Sequence, residues 1–325
     1  MRYALCLAAL FALCAEAGET TILNASYDVS REFYQDYDAL FVEHWRAAHG
    51  ETVTVHQSHG GSSTQARAVL DGLEADVVTM NQATDVDMLA SKGLVATDWR
   101  ERLPDRASPY TSTIVLLVRK GNPKAIRDWD DLVRDGVAVI VPNPKTSGNG
   151  RYSYLAAWDH GLAGGDAAKA EAFVKALFAH VPVLDTGGRA ATTTFVERGI
   201  GDVLLTFENE VHLIAKDFAR ADFEVVYPRR SVLAEAPVAV VAPVVDKRGT
   251  RALAEDYLAW LWSEPAQALV VKHHFRPRRA SVPTQDSPAI TLFTVEEVFG
   301  SWVEAQRVHF ADGGTFDRIY QPGSH

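Results

Sequence analysis

Cysteine is almost absent: the chain has two, Cys6 and Cys14. Both lie in the N-terminal segment. The rest of the chain therefore forms no disulfide and no thiolate metal site, and it has no cysteine nucleophile. Long apolar runs are absent beyond that segment, so no later stretch reads as a membrane-spanning helix. A basic excess is absent as well. The net charge is −10, from 32 Lys and Arg against 42 Asp and Glu, and a chain without a basic face does not neutralise a nucleic-acid backbone. No internal repeat and no low-complexity tract is visible. His273-His274 invites a metal reading, but adjacent side chains point apart and no further ligand follows at a suitable spacing. Neither a metal nor a cofactor is expected.

What is present starts at the N-terminus. Arg2 is followed by an apolar run from Tyr3 to Leu13 and then by Ala15-Glu16-Ala17. A charged start, an apolar core and an A-x-A site read as an export signal over residues 1–17, cleaved after Ala17. Leu13 stands where a lipid-anchored cysteine follows a small residue, which disfavours an anchor on Cys14. The remainder, in a chain 47% hydrophobic and 23% charged, has the composition of a globular protein and the length for two lobes.

Short apolar segments alternate with helical patterns. Strands are predicted at Thr21–Ser26, Thr52–Gln57, Asp76–Met80, Thr113–Arg119, Val137–Val141, Asp202–Phe207, Phe223–Tyr227 and Val238–Val245. Helices are predicted over 64–73, 167–180, 251–262 (with Ser263 capping the next) and 295–309. The alternation implies an α/β fold with largely parallel sheets. The apolar segments 110–121 and 233–245, entered by Pro109 and Pro237, are candidates for strands that cross between the two lobes.

Three strand-to-helix turns stand out. Pro142-Asn-Pro-Lys-Thr-Ser-Gly-Asn-Gly150 leads into a helical pattern at Tyr154, Leu155 and Trp158. His56-Gln-Ser-His-Gly-Gly-Ser-Ser63 and Asn24-Ala-Ser-Tyr-Asp-Val-Ser30 repeat the arrangement. Each aims backbone N–H groups and a helix N-terminus at one spot, a geometry that holds an anion without a cationic side chain. Open α/β sheets bind ligands beyond the carboxyl ends of their strands.

These segments, together with Ala107-Ser-Pro-Tyr-Thr-Ser-Thr113, Arg119-Lys-Gly-Asn-Pro123, Thr194-Phe-Val-Glu-Arg-Gly-Ile-Gly-Asp202, Glu208-Asn-Glu210 and Gly313-Gly-Thr-Phe-Asp317, resemble the periplasmic sulfate-binding proteins of bacterial ABC importers, which also serve thiosulfate uptake. The resemblance runs through essentially the whole exported chain. It implies a two-lobed periplasmic-binding-protein fold of type II, with the ligand cleft between lobes joined by crossover strands. Lobe I is expected over 18–107 plus 237–275, and lobe II over 108–236 plus 276–325. The implied protein is a periplasmic monomer that captures sulfate or a related oxyanion and delivers it to membrane ABC permease subunits.

The resemblance also implies a ligand set. Asp28, Ser62, Gly148 and Gly188 match main-chain donors, Ser147 matches a hydroxyl donor, and Asn149 lies beside the matching glycine turn. Phe207 stands where the family has an indole donor, and Phe has none. A hydrogen bond to a charged group contributes about 1.5–3 kcal/mol, so its loss weakens binding roughly 10- to 150-fold. Thr206, Tyr152 or a water are the candidate replacements, and an apolar wall suits a larger, softer anion such as thiosulfate. Arg189 reads as an ion-pair partner rather than an anion ligand. His59 reads either as a loop-holding group or as a turn histidine bonded to backbone. An ester hydrolase is the competing enzyme reading, but no base accompanies Ser147 or Ser62, so no catalysis is expected. Other tetrahedral oxyanions and a sensory receptor role are the alternatives within the binding class.

Overall fold

The computed structural model describes residues 20–162, 165–217, 223–283, 288 and 290–320. Residues 1–17, expected to be an export signal, and both cysteines lie outside the described residues. In chain order the first elements are β1 (Thr20–Tyr27), α1 (Arg31–His49), β2 (Val53–Gly60), α2 (Ser62–Leu70), β3 (Val77–Thr79), α3 (Ala83–Ser91), a one-turn α4 (Pro104–Ala107) and β4 (Tyr110–Arg119). Then come β5 (Val139–Pro142), α5 (Gly148–Gly161), α6 (Ala167–Ala179), β6 (Leu184–Asp185), α7 (Gly188–Thr192), β7 (Val203–Phe207), α8 (Glu208–Asp217), β8 (Phe223–Val226), β9 (Arg230–Glu235) and β10 (Val238–Val240). The last are α9 (Ala242–Arg248), α10 (Arg251–Ala259), α11 (Glu264–Lys272), β11 (Arg276–Pro277), β12 (Thr291–Phe293), α12 (Val295–Phe299), α13 (Trp302–Ala305) and α14 (Thr315–Ile319).

The strands form two sheets. The smaller has the order β10-β3-β1-β2, and the larger runs β12-β9-β4-β7-β5-β6, with β8 and β11 also paired to β4. The fold is α/β, but the larger sheet is mixed rather than largely parallel. Its spine β4 is antiparallel to β7, β8, β9 and β11. The reason lies in the passage between sheets. β4 carries the chain into the larger sheet, and β9 carries it back toward β10 in the smaller one. Two neighbouring passages in opposite directions pair antiparallel, here Thr111↔Glu235 and Ser112↔Ala234. β11 adds Arg276↔Thr111 at the same place.

Local chemistry explains the elements. α1 places Phe33, Tyr34, Tyr37, Phe41 and Trp45 on one buried face and stops at Gly50, which takes a left-handed φ of 71°. β4 is buried from Tyr110 to Val118, and its second half, Ile114 to Val118, reads as a continuous apolar run. Two predicted elements are corrected. The strand predicted over Val238–Val245 ends at Val240, because Pro243 lacks the N–H a strand needs and instead opens α9. The helix predicted over 295–309 breaks at Gly300, whose φ is 75°, and Ser301 caps a new start by accepting from Glu304 N at 3.0 Å. The helix predicted from Thr64 begins earlier, at Ser62.

His309 shows how the core sets a titration. The ring is 4% exposed, packs edge-on to Trp158 and bonds the Tyr154 hydroxyl at 2.9 Å through Nδ1. Burial, then the nearby Arg318 charge, pull its pKa down from 6.5 to about 4. In this window the unfolded chain takes up a proton that the folded chain refuses. Stability is therefore lost as pH falls from 6.5 toward 4, with a slope of up to about 1.4 kcal/mol per pH unit. His309→Gln is expected to remove that component from urea midpoints measured across this range. An unchanged slope would show that His309 is not held neutral.

Candidate functional site

The turns after β1, β2, β3, β5, β6 and β7 converge on one cavity of about 380 Å³. Asp28, Ser62, Ser147, Gly148, Asn149, Gly188 and Phe207 all line it. The structure thus brings together every residue of the expected ligand set. Ser62, Gly148 and Gly188 are the first residues of α2, α5 and α7, and Asn149 is the second of α5. N–H groups at these positions have no acceptor within their helices. Asp28 opens the short turn Asp28–Ser30. Its carboxylate lies 3.6 Å from Arg31, leaving its main chain as the part offered to the cavity.

Ser147 caps α5. Its Oγ accepts from Gly150 N at 3.3 Å, which leaves the hydroxyl proton to donate. Ser62 differs: its Oγ donates to Asp85 Oδ2 at 2.5 Å and accepts from Asn81 N at 3.1 Å, so its hydroxyl serves the loop. The Asn149 amide is likewise occupied, donating to Glu210 Oε2 at 3.0 Å and Thr206 Oγ1 at 3.2 Å. Arg189 reaches from α7 to the Asp28 carbonyl at 3.4 Å and lies 3.6 Å from Glu32. It is the ion-pair partner expected, and it joins α7 to α1 across the cavity mouth.

The loop before α5 is fixed from behind. Lys145 Nζ donates to Asp317 Oδ2 at 3.0 Å and lies 3.2 Å from Asp312. Arg151 Nε donates to Pro144 O at 3.0 Å. Asp317 also accepts from Gly313 N at 2.8 Å, which gives the Gly313–Asp317 motif a purpose: it anchors the turn. His59 is half-buried, with its pKa lowered first by burial and then by the Arg31 charge. His273 turns to Asp36 at 2.9 Å, while His274 stacks on His212.

Sequence reasoning missed Asn81 and Asp85, and it quoted Glu210 only as part of a motif, without a role. Asn81 follows β3 and lines the cavity; its only signal was its place after a strand. Asp85 gathers Ser62, Ser63 and Gln82, and burial pushes its carboxyl up. Glu210 lines the cavity from α8. It accepts from Thr206 and Asn149, and burial raises its pKa against the opposing effect of these bonds and of Arg189. Raising favours the neutral form, which suits a wall facing an anion. A second cavity, of about 300 Å³, lies between Trp99, Leu103, Val240 and Leu258. Its cations Arg102 and Arg251 are already paired with Asp98 and Asp246, each at 2.8 Å, so it offers an anion little.

The family model described as "Bacterial extracellular solute-binding protein" matches residues 29–276. The chain belongs to that family. Among similar members, a thiosulfate-binding protein of Pseudomonas aeruginosa is 57% identical over 306 residues, covering 93% of this chain and 92% of that one. A sulfate-binding protein of Escherichia coli is 51% identical over 315 residues, covering 95% and 96%. The solved structure of the sulfate-binding protein SubI from Mycobacterium tuberculosis superposes with a TM-score of 0.77 at 32% identity, covering 89% of this chain and 99% of that one. Solved structures of a periplasmic thiamin-binding protein and of iron-bound HitA from Pseudomonas aeruginosa share the fold at 18% and 17% identity, with TM-scores of 0.64 and 0.61.

Two glycines of this solute-binding protein are required for different reasons. A Cβ on Gly150 would lie 2.3 Å from the Pro142 carbonyl oxygen and 2.9 Å from two further backbone atoms. A Cβ on Gly148 would lie 2.3 Å from Asn81 Oδ1, a side chain reaching in from the smaller sheet. Gly150→Ala is expected to destabilise the unliganded protein by about 1–3 kcal/mol, read as a lower urea midpoint. Gly148→Ala is expected to cost less stability and to weaken anion binding at least roughly tenfold, since α5 and Asn81 no longer meet. Equal stability losses in both variants would contradict this assignment.

Proposed function

We propose that the chain is an extracytoplasmic solute-binding protein that captures sulfate and thiosulfate and delivers them to an ABC permease. The observation that carries this reading is the convergence of the α2, α5 and α7 N-termini, the Asp28 turn and the Ser147 hydroxyl on one cavity whose nearby cation is engaged elsewhere. Such a site stabilises a dehydrated anion by fixed dipoles rather than by a counter-charge. The sulfate- and thiosulfate-binding relatives at 51% and 57% identity support the choice of ligand. The Phe207 ring offers an apolar wall to the terminal sulfur of thiosulfate, which accepts hydrogen bonds weakly. The role is binding and not catalysis. Periplasmic delivery follows cleavage of residues 1–17.

Residues 18–107 plus 237–275 form one lobe and 108–236 plus 276–325 the other. Asp28 and Ser62 come from the first, and Ser147, Gly148, Asn149, Gly188 and Phe207 from the second. A ligand held from both sides favours the closed state, because only differential affinity shifts the populations. The closed form is what the permease recognises.

Sulfate and thiosulfate are expected to raise the melting temperature. No shift with millimolar sulfate, thiosulfate, molybdate or phosphate would refute the oxyanion reading. Hydrogen phosphate carries a proton that needs an acceptor, and a site of donors meets it with another donor. Calorimetry near pH 7 should therefore give sulfate an advantage over phosphate of at least roughly tenfold. Equal affinities would mean that a carboxylate lining the cavity, Asp28 or Glu210, accepts that proton. Ser147→Ala is expected to weaken sulfate roughly 10- to 150-fold.

A further inference from the structure

Phe207, Tyr27 and Asn81 line both the anion cavity and a second, far smaller one of about 10 Å³. That is about the space one water needs. The far wall of the small cavity is the passage between the sheets, with Ser112 of β4 and Asn209 of α8. Asn209 is 0% exposed. Its Oδ1 accepts from Ser112 Oγ at 2.7 Å, while its Nδ2 has no hydrogen-bond partner among the described residues. Asn81 Oδ1 is likewise buried without a partner. One side chain with an unpaired donor and one with an unpaired acceptor thus line the same water-sized space, and buried polar groups are generally satisfied by protein or by ordered water.

The groups nearest Phe207 are committed elsewhere. The Tyr152 hydroxyl donates to Glu235 O at 3.1 Å, and the Thr206 hydroxyl donates to Glu210. Neither is available to stand in for a donor on the Phe207 side of the site.

We propose that the small cavity binds a single ordered water that accepts from Asn209 Nδ2, donates to Asn81 Oδ1 and points its second O–H at the bound anion. The water is then a donor recruited by Asn209 at the wall where Phe207 has none. The relay rests on the anion-binding reading, whereas the water site itself does not. Asn209 becomes a residue that acts on the ligand through the water, and Asn81 links the same water to the other sheet.

A crystal structure of the sulfate complex, at a resolution that shows ordered waters, is expected to place one water within about 3 Å of Asn209 Nδ2, Asn81 Oδ1 and a sulfate oxygen. A complex without that water, or with a water that does not reach sulfate, overturns the proposal. Calorimetry with sulfate gives an independent readout. Phe207→Trp sends an indole N–H into the same space and displaces the water. Asn209→Leu should weaken sulfate roughly tenfold in the original background and less than about twofold in the Phe207→Trp background. Equal losses in both backgrounds overturn the relay. If the unaltered protein binds neither sulfate nor thiosulfate, the functional reading fails instead. The site is then judged on crystals of the unliganded protein, where the absence of a water between Asn209 and Asn81 overturns it.

Discussion

The first N–H groups of a helix have no acceptor within that helix. The cavity architecture depends on leaving several such groups unsatisfied at one place. α2, α5 and α7 each begin directly after a strand, at Ser62, Gly148 and Gly188, and the strands deliver these starts to a common edge. Side chains that might have quenched the donors are tied back. Ser62 Oγ is held by Asp85 and the Asn149 amide by Glu210 and Thr206. The loops stay in position through bonds on the side away from the cavity, with Lys145 on Asp317 and Arg151 on Pro144.

The mixed larger sheet follows from the same demand for convergence. The chain brings donors from two sheets to one cavity and passes between the sheets more than once. The passages pair where Thr111 meets Glu235 and Arg276. Arg189 and Asn81 are contacts between the two groups of donors across the cavity.

The strand-end turns were legible because their chemistry is local. Gly and Ser before an apolar helical pattern mark a turn and a cap wherever they occur, so Ser62, Ser147 and Gly148 were visible in the sequence, whereas Gly188 came only with the resemblance. Glu210 and Asp85 were not, because a buried carboxyl among hydroxyls and amides is defined by tertiary neighbours. Asn81 carried only the weak mark of following a strand. The strand misread over 238–245 shows a β-branched run overriding a proline: Val244 and Val245 sit in a helix that Pro243 starts. The helix misread over 295–309 shows the reverse, since helical spacing persisted across Gly300-Ser301 although that pair ends one helix and caps another. The direction of β4 against its neighbours had no local signature at all.

The bond between Lys145 and Asp317 joins the central binding turn to a residue near the far end of the chain. Every described strand precedes Asp317 in the chain, the last being β12 at Thr291–Phe293. Arg151 also holds this turn through Pro144 O, so the final segment adds a second brace behind Ser147. A chain clipped before α14 would lose that brace and keep the first.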